Sequence, residues 1–240
     1  MDYRERTYRN KVSKVTLTSF PLQVKETDLY ISADRNLDSI ARKSVYKYRK
    51  YIEEYILHHP SFLNSLIPVD RDDFAPPVIQ DMIEASIISG VGPMAAVAGA
   101  IAQYVGTELL LYSRNVIVEN GGDIFLKCVD NDARVALFAG ESPLSYKISL
   151  RIKPEDTPIG ICTSSGTVGH SLSLGIADAV CVTSKSTALA DAAATYLCNL
   201  VKGENDIKKV LDLGFRIKGV LGIVIIINDK IGAVGAVELT

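Results

Sequence analysis

The chain has 240 residues, 48% of them hydrophobic and 22% charged, which is typical of a globular protein that buries a sizeable core. Its 26 Lys and Arg residues nearly balance 28 Asp and Glu residues, and the net charge of −2 argues against a general nucleic-acid binder, which needs a basic face. The four cysteines are widely spaced without a C-x-x-C pair, which predicts reduced thiols rather than a zinc site. No signal peptide opens the sequence, and its most apolar run near the end, Val220 to Ile227, is too short for a bilayer; we therefore expect a cytoplasmic protein without membrane contact.

The first half of the sequence shows strand periodicity followed by helical periodicity. The predicted elements are a strand hairpin and three helices: Val15–Thr18 with Leu22–Ser32, then Leu37–His58, Val78–Ile88 and Met94–Leu111. Proline precedes each of the last two helices, as expected for a first helical turn.

The second half of the sequence alternates short apolar runs with turn residues and contains two more helical patterns. The predicted strands are Val116–Glu119, Ile124–Cys128, Arg134–Phe138, Tyr146–Ile152, Ile159–Cys162, Ala177–Thr183, Gly222–Ile227 and Ala233–Leu239. Helices are predicted over Thr187–Val201 and Asp206–Leu213, the second ended by Gly214 as its C-terminal cap. Because there is no internal repeat or long linker, residues 1–240 are predicted to form one α+β domain.

The sequence Asn120-Gly121-Gly122-Asp123 lies between two predicted strands and has two interpretations. Asn-Gly between strands is the strongest short hairpin signal, so a turn accounts for Asn120 and Gly121 without any ligand. A turn does not require a second glycine followed by an acid, and adjacent glycines also permit close approach of a substrate to the backbone. Gly121, Gly122 and Asp123 are therefore candidate ligand-binding residues.

A loop rich in glycine and hydroxyl side chains is predicted over Thr163 to Gly175. Such loops can present backbone N–H groups to phosphate in a concave nest, although an ordinary surface loop has the same composition. The candidate ligand-binding residues of this loop are Thr163, Ser164, Ser165 and Gly166. His170 in the same loop could donate to a phosphate or move a proton near neutral pH, the alternative being a solvated histidine.

The alanine-rich segment from Ala190 to Thr195 contains one carboxylate and one hydroxyl, four residues apart. Asp191 and Thr195 therefore share a face of the predicted helix. A buried carboxylate needs a partner, whereas an acid near a helix start can simply interact with the helix dipole. We favour Mg²⁺ as the partner, because it takes oxygen ligands and usually keeps one or two protein groups plus substrate phosphates.

Three motifs follow one another in the order found in the ApbE-like superfamily, whose best-known members are FAD:protein FMN transferases. Gly99-Ala-Ile-Ala-Gln103 resembles the family's Gly-x-Ile-Ala-Lys helix, Asn120–Asp123 its Gly-Gly-Asp turn, and Asp191–Thr195 its Asp-Ala-Leu-Ala-Thr metal segment. The resemblance is strongest over residues 90–200. The Thr163–Ser171 stretch resembles a narrower set of uncharacterised bacterial and archaeal proteins in that superfamily.

The resemblance implies one ApbE-like α+β domain with mixed or antiparallel sheets and packed helices. It also implies Mg²⁺ held by Asp191, Thr195 and the carbonyl of Ala100 against the diphosphate of FAD or a related nucleotide. His170 and Asp123 are the candidate catalytic residues.

The sequence also departs from the family in two places. Gln103 replaces a lysine, which removes a fixed charge toward the nucleotide, and the His-x-x-Asp-Pro-x-Thr-Gly signature of the transferases is missing. We still expect a small phosphorylated ligand, a flavin or another nucleotide, to bind with Mg²⁺ between the Gly-Gly-Asp turn and the alanine-rich helix, and Gln103 is a further candidate contact. Three functions remain open: Mg²⁺-dependent transfer of a phosphoryl or FMN group, non-catalytic nucleotide binding, and a structural role that keeps only the fold. The small-residue helices are also candidates for packing across a homodimer.

Overall fold

The computed structural model describes residues 17–167 and 174–240 as a layer of helices on one face of a large sheet, with a small sheet on the opposite face. In these residues the strands, in chain order, are β1 (Thr18–Val24), β2 (Thr27–Ala33), β3 (Val116–Asn120), β4 (Asp123–Lys127), β5 (Ala133–Ala136), β6 (Ser149–Ile152), β7 (Ile159–Ser164), β8 (Ala179–Ser184), β9 (Val220–Ile227) and β10 (Lys230–Gly235). The helices are α1 (Asp38–His58), α2 (Pro60–Asn64), α3 (Pro77–Ser89), α4 (Val97–Leu109), α5 (Thr187–Leu200) and α6 (Asp206–Gly214). The predicted α+β class is confirmed.

The large sheet has the order β1-β2-β3-β4-β7-β8-β9-β10, and β5 pairs with β6 in the small sheet. Every strand pairing in the described residues is antiparallel. The large sheet is covered on both faces, so residues on both sides of its central strands are buried. In β3, for example, all five residues are buried. Val118 and Phe125 face the helices, whereas Ile117 and Ile124 pack toward the small sheet.

Small residues bring α4 and α5 close to their neighbours inside the chain. A Cβ atom on Gly99 would lie 2.4 Å from the carbonyl oxygen of Thr187, and one on Gly106 would lie 2.2 Å from the ring of Phe125. The small-residue faces of these two helices are therefore used within the protomer, and packing across a homodimer remains a prediction.

A hairpin forms in this region, but not from the predicted strands. β1 covers the predicted turn between Thr18 and Leu22, and the actual turn lies at Lys25-Glu26, inside the segment predicted as the single strand Leu22–Ser32. Neither turn residue is a glycine or an asparagine, although Lys25 has a φ of 52°. The turn is marked instead by a change in which positions are buried. Buried residues have even numbers in β1 and odd numbers in β2.

The predicted helix over Met94–Leu111 is interrupted at its start. A 3₁₀ turn over Pro93–Ala96 precedes α4, and Ala96 leaves the helical region with φ −111° and ψ 2°. A helix that begins at Val97 leaves its own first N–H groups without partners inside the helix, and this end of α4 lies at the candidate site.

Two further sequence predictions were wrong at element ends. Thr163 and Ser164, predicted in a loop, are the last residues of β7, because their backbone pairs with β8. Gly214 is the last residue of α6 rather than a left-handed cap, and the residue after it, Phe215, has a φ of −70°. A Cβ atom on Gly214 would lie 2.6 Å from the side chain of Leu197, so close packing accounts for this glycine.

No single helix within residues 17–167 and 174–240 has the length and apolar composition to cross a membrane. The helices Pro77–Ser89 and Pro93–Leu109 pass that test only when taken together, and they are bent by 108° at the break between them. Both contribute residues to the core beneath the large sheet.

Candidate functional site

Four elements that carry the predicted motifs meet at one edge of the helix layer. They are the tip of the β3–β4 hairpin, the end of β7, the first turn of α4 and the first two turns of α5. Asp123 and Asp191, predicted from separate motifs 68 positions apart in the sequence, are brought together there. Which of these residues binds a ligand remains a prediction.

The hairpin tip is a two-residue turn. Asn120 pairs with Asp123 across it, and both Gly121 and Gly122 have positive φ values, 69° and 107°. The two central turn residues are therefore Gly121 and Gly122, rather than Asn120 and Gly121 as predicted. The side chain of Asn120 instead donates to the carbonyl oxygen of Ala98 in the first turn of α4, at 3.0 Å.

Asp123 is a buried carboxylate with an exposed fraction of 8%. Cys162 and the backbone N–H of Thr163, both on β7, lie beside this carboxylate and act to lower its pKa, while the thiol of Cys162 donates to the carbonyl oxygen of Thr187 at 3.4 Å. Burial, and then the negative charges of Asp191 and Glu119, raise the pKa of Asp123 well above its usual value. This acid therefore holds a proton more tightly than an exposed aspartate does.

Asp191 is equally buried, with an exposed fraction of 9%. Its carboxylate accepts the N–H of Gly99 at 2.8 Å and also that of Ala98, so it caps the start of α4 from another helix. Burial raises its pKa to about 7, although the two N–H groups act in the opposite direction. Among the described residues, no Lys, Arg or His side chain forms an ion pair with Asp191 or Asp123.

The side chain of Gln103 is engaged at both ends inside the protein. Its Oε1 accepts the N–H of Thr187, the first residue of α5, at 2.6 Å, and its Nε2 donates to Asp81 at 3.3 Å. The helices α4 and α5 thus cap each other, and we call Gly99, Gln103, Thr187 and Asp191 the reciprocal cap. The sequence motifs contain Gly99, Gln103 and Asp191 but not Thr187, and they do not reveal this pairing.

The other two predicted metal ligands have different surroundings. Thr195 lies one turn after Asp191 on α5 and is half-buried. Ala100 is fully buried within α4, where its carbonyl oxygen is in the position to accept the N–H of Tyr104. In the first turn of α4, the carbonyl group that contacts the β3–β4 hairpin is that of Ala98, which accepts from the side chain of Asn120.

The described part of the predicted phosphate loop is held by internal bonds. The N–H of Gly166 donates to the carbonyl oxygen of Ala177 at 2.9 Å, and the N–H of Thr167 donates to Oγ of Ser165 at 3.1 Å. The hydroxyl of Ser164 is buried and has no hydrogen-bond partner among the described residues. His170 lies outside the described residues.

No group of three or more His, Cys, Asp or Glu side chains in residues 17–167 and 174–240 is arranged to hold a metal ion. Any cation at this site would therefore depend on the two carboxylates plus oxygen atoms of the backbone, hydroxyls, water or a ligand. Two surface cavities of about 500 Å³ and 560 Å³ lie on α6 and at the end of α1, and neither includes a predicted site residue.

Comparison with known sequences gives one family over nearly the whole chain. The sequence model of the family described as AbpE bacteria matches residues 9–231. A UPF0280 protein of Methanocaldococcus jannaschii is 42% identical over 220 residues, which are 89% of each chain. UPF0280 proteins of Methanococcus maripaludis and Methanocella arvoryzae are 42% and 39% identical, covering 90% and 89% of this chain and 90% and 86% of their own.

Comparison with solved structures gives the same fold at low identity. The apo form of the flavinyl transferase ApbE from Pseudomonas stutzeri matches with a TM-score of 0.54 and 13% identity, covering 92% of this chain and 94% of its own. The ApbE protein of Thermotoga maritima matches with a TM-score of 0.56 and 12% identity, covering 90% of this chain and 96% of its own. At such identities the matches show a shared architecture.

Proposed function

Because this chain belongs to the family described as AbpE bacteria, we propose that it binds a flavin or another phosphate-bearing nucleotide with Mg²⁺ and transfers a phosphoryl or FMN group from it. The site we assign is the space bounded by the β3–β4 hairpin tip, the first turn of α4 and Asp191 of α5. The observation that carries the proposal is the pair of buried carboxylates, Asp123 and Asp191, without a basic partner among the described residues.

The chemistry of these donors fits Mg²⁺. Two carboxylates buried side by side repel each other, which is why the charge of Asp191 raises the pKa of Asp123. A divalent cation between them would remove that repulsion, and Mg²⁺ is usually bound by one or two carboxylates plus substrate phosphates. The buried hydroxyl of Ser164, which has no partner among the described residues, supports the presence of a further polar group at this site.

Each residue would have a definite task in this proposal. Asp123 and Asp191 would hold the cation, with the hydroxyl of Thr195 as a further oxygen donor. Gly121 and Gly122 leave the hairpin tip free of side chains, so that a phosphate could approach the backbone. When bound, Mg²⁺ would supply neutralisation of the negative charge on the phosphoryl oxygens.

The choice of a flavin rests on the fold alone. The Pseudomonas stutzeri protein with the same architecture is a flavinyl transferase, and this chain shares 13% of its residues. One fold can serve several chemistries. Binding of a nucleotide diphosphate is therefore proposed from the buried carboxylates, whereas binding of a flavin ring is proposed from the shared fold.

Non-catalytic nucleotide binding is the second candidate, and the geometry of Gln103 favours it. Its oxygen accepts from Thr187 and one of its two N–H groups donates to Asp81, so both ends of this amide are held within the protein and do not replace the charge of the lysine found in the family. A protein that keeps the cation site but makes fewer contacts to the nucleotide would still bind the nucleotide. It would not promote transfer, because that requires contacts that strengthen in the transition state.

The experiment that separates these functions mixes the purified chain with FAD, MgCl₂ and a threonine-containing acceptor peptide. We expect the flavin fluorescence to report FAD binding that requires Mg²⁺, and chromatography to detect AMP. Asp191→Asn should lose both signals, whereas Asp206→Asn is the matched control, since Asp206 also accepts a backbone N–H, that of Lys202, but lies at the start of α6. Mg²⁺-dependent binding without AMP would leave the non-catalytic function, and the absence of FAD binding would contradict both.

A further inference from the structure

We infer that Gln103 is a positioning residue for Asp191. It ties the start of α5 to α4, and this holds the carboxylate of Asp191 where the cation is to bind. The inference rests on the proposed function, because it concerns how the same site is kept in place. It assigns to Gln103 a role without direct contact to the ligand.

The geometry of the reciprocal cap carries the argument. Gly99 and Gln103 are one turn apart on α4, and Thr187 and Asp191 are one turn apart on α5. Two hydrogen bonds cross between the helices in opposite senses, from Gly99 N–H to Asp191 at 2.8 Å and from Thr187 N–H to Gln103 at 2.6 Å. Loss of either bond leaves one helix start without its partner from the other helix.

Asp81 on α3 sets the orientation of the Gln103 amide. The N–H of Thr187 needs an acceptor, and the carboxylate of Asp81 needs a donor, so only one of the two amide orientations satisfies both. The hydroxyl of Tyr104 donates to the same oxygen of Asp81 at 2.9 Å and holds it in place. The Asp81–Gln103 pair therefore links α3 and α4 to the first residue of α5.

The packing of α5 makes these polar contacts important for its position. Five alanines surround Asp191 on this helix: Ala188, Ala190, Ala192, Ala193 and Ala194. Alanine side chains make few interlocking contacts, so they resist a small shift of the helix along its neighbour less than larger side chains do. Ser186 also caps this end, by accepting the N–H of Leu189, but that bond lies within α5 and does not tie it to α4.

The test measures the Mg²⁺ concentration at which FAD binding, followed by flavin fluorescence, is half complete. Gln103→Leu removes both amide contacts, and we expect this concentration to rise at least fivefold. Gln103→Glu keeps an acceptor for Thr187 but places a second carboxylate against Asp81, and we expect a similar rise. Combining Gln103→Glu with Asp81→Asn reverses donor and acceptor between the two positions, and the double variant should return to within twofold of the unaltered chain.

Ser186→Ala is the matched control, because it removes a cap from the same end of α5 without touching the contacts that tie α5 to α4. It should lower thermal stability while leaving the Mg²⁺ requirement within twofold. If Gln103 only stabilised the fold, the Gln103 variants would behave in the same way. If Gln103→Leu does not fold, the comparison of Gln103→Glu with the double variant decides. An unchanged Mg²⁺ requirement in the Gln103 variants, or no recovery in the double variant, would overturn this inference but not the proposed function. The absence of Mg²⁺-dependent FAD binding in the unaltered chain would overturn the proposed function and this inference together.

Discussion

Replacing Asp191 by asparagine should change how the stability of the protein depends on pH. Burial raises the pKa of Asp191 from 3.8 to about 7, so the folded chain binds this proton more tightly than the unfolded chain does. The stabilisation from that proton is fully present below about pH 4 and is lost as the pH rises through about 7. The Asp191→Asn variant has no such proton and should lack this part of the pH dependence.

The magnitude follows from the same two values. The difference between 3.8 and about 7 corresponds to about 4 kcal/mol of stability without Mg²⁺, lost between the two pH values. In the variant the amide oxygen can still accept the N–H of Gly99, as the protonated carboxyl of the unaltered chain does at pH 4.5, so the two proteins should have similar stability at that pH. In EDTA, Asp191→Asn should be more stable than the unaltered chain by about 4 kcal/mol at pH 8, where the buried carboxyl of the unaltered chain is charged.

Urea denaturation of both proteins at pH 4.5, 6, 7 and 8 in EDTA measures this difference directly. Asp206→Asn is the control for the loss of a carboxylate that accepts a backbone N–H elsewhere in the chain. Adding MgCl₂ at pH 8 should stabilise the unaltered chain and leave Asp191→Asn unchanged. A constant difference between the two proteins at every pH would refute the assignment of Asp191 as a buried acid that lacks a cationic partner.

Three other outcomes are expected from the same geometry. Asp123→Asn should raise the Mg²⁺ dissociation constant at least tenfold in isothermal titration calorimetry and leave the far-UV circular dichroism unchanged; equal affinity would exclude this carboxylate from the cation site. Gly99→Ala should lower the free energy of unfolding by about 2–4 kcal/mol because a Cβ atom there would lie 2.4 Å from Thr187, whereas Gly203→Ala, which meets no atom within 4 Å, should change it by less than about 0.5 kcal/mol. Asn120→Ala should cost about 1 kcal/mol in urea denaturation through the lost bond to Ala98 and should also weaken Mg²⁺ binding; normal stability would show that this bond does not hold the hairpin to α4.

Much of the fold could be predicted because its signals are local. The 21 residues of α1 and the alternating strands carry their periodicity in the sequence itself. The break before α4 could not be predicted in this way, because Ala96 favours helix and the cap at Gly99 comes from Asp191, 92 residues away. The turn at Lys25-Glu26 lacked glycine and asparagine, and only the change of parity between the two strands marked it.

For the candidate site, the motifs named residues that the structure places near one another, but they did not show how those residues are arranged. The sequence motifs named Asp123 and Asp191, and the structure brings both into one buried cluster. The same motifs named Gln103 as a ligand contact, whereas in the structure its amide joins Thr187 to Asp81. Pairings of this kind depend on how helices cross, and crossing is decided by packing between distant segments.

The most direct test of the proposed site is a crystal of the protein grown with FAD and Mn²⁺ in place of Mg²⁺. Anomalous scattering from Mn²⁺ locates a cation without relying on its coordination shape. Our account predicts a peak about 2.1–2.2 Å from carboxylate oxygens of Asp191 and Asp123, with the diphosphate of FAD beside it. An ordered FAD molecule whose diphosphate and cation lie away from both carboxylates would contradict it.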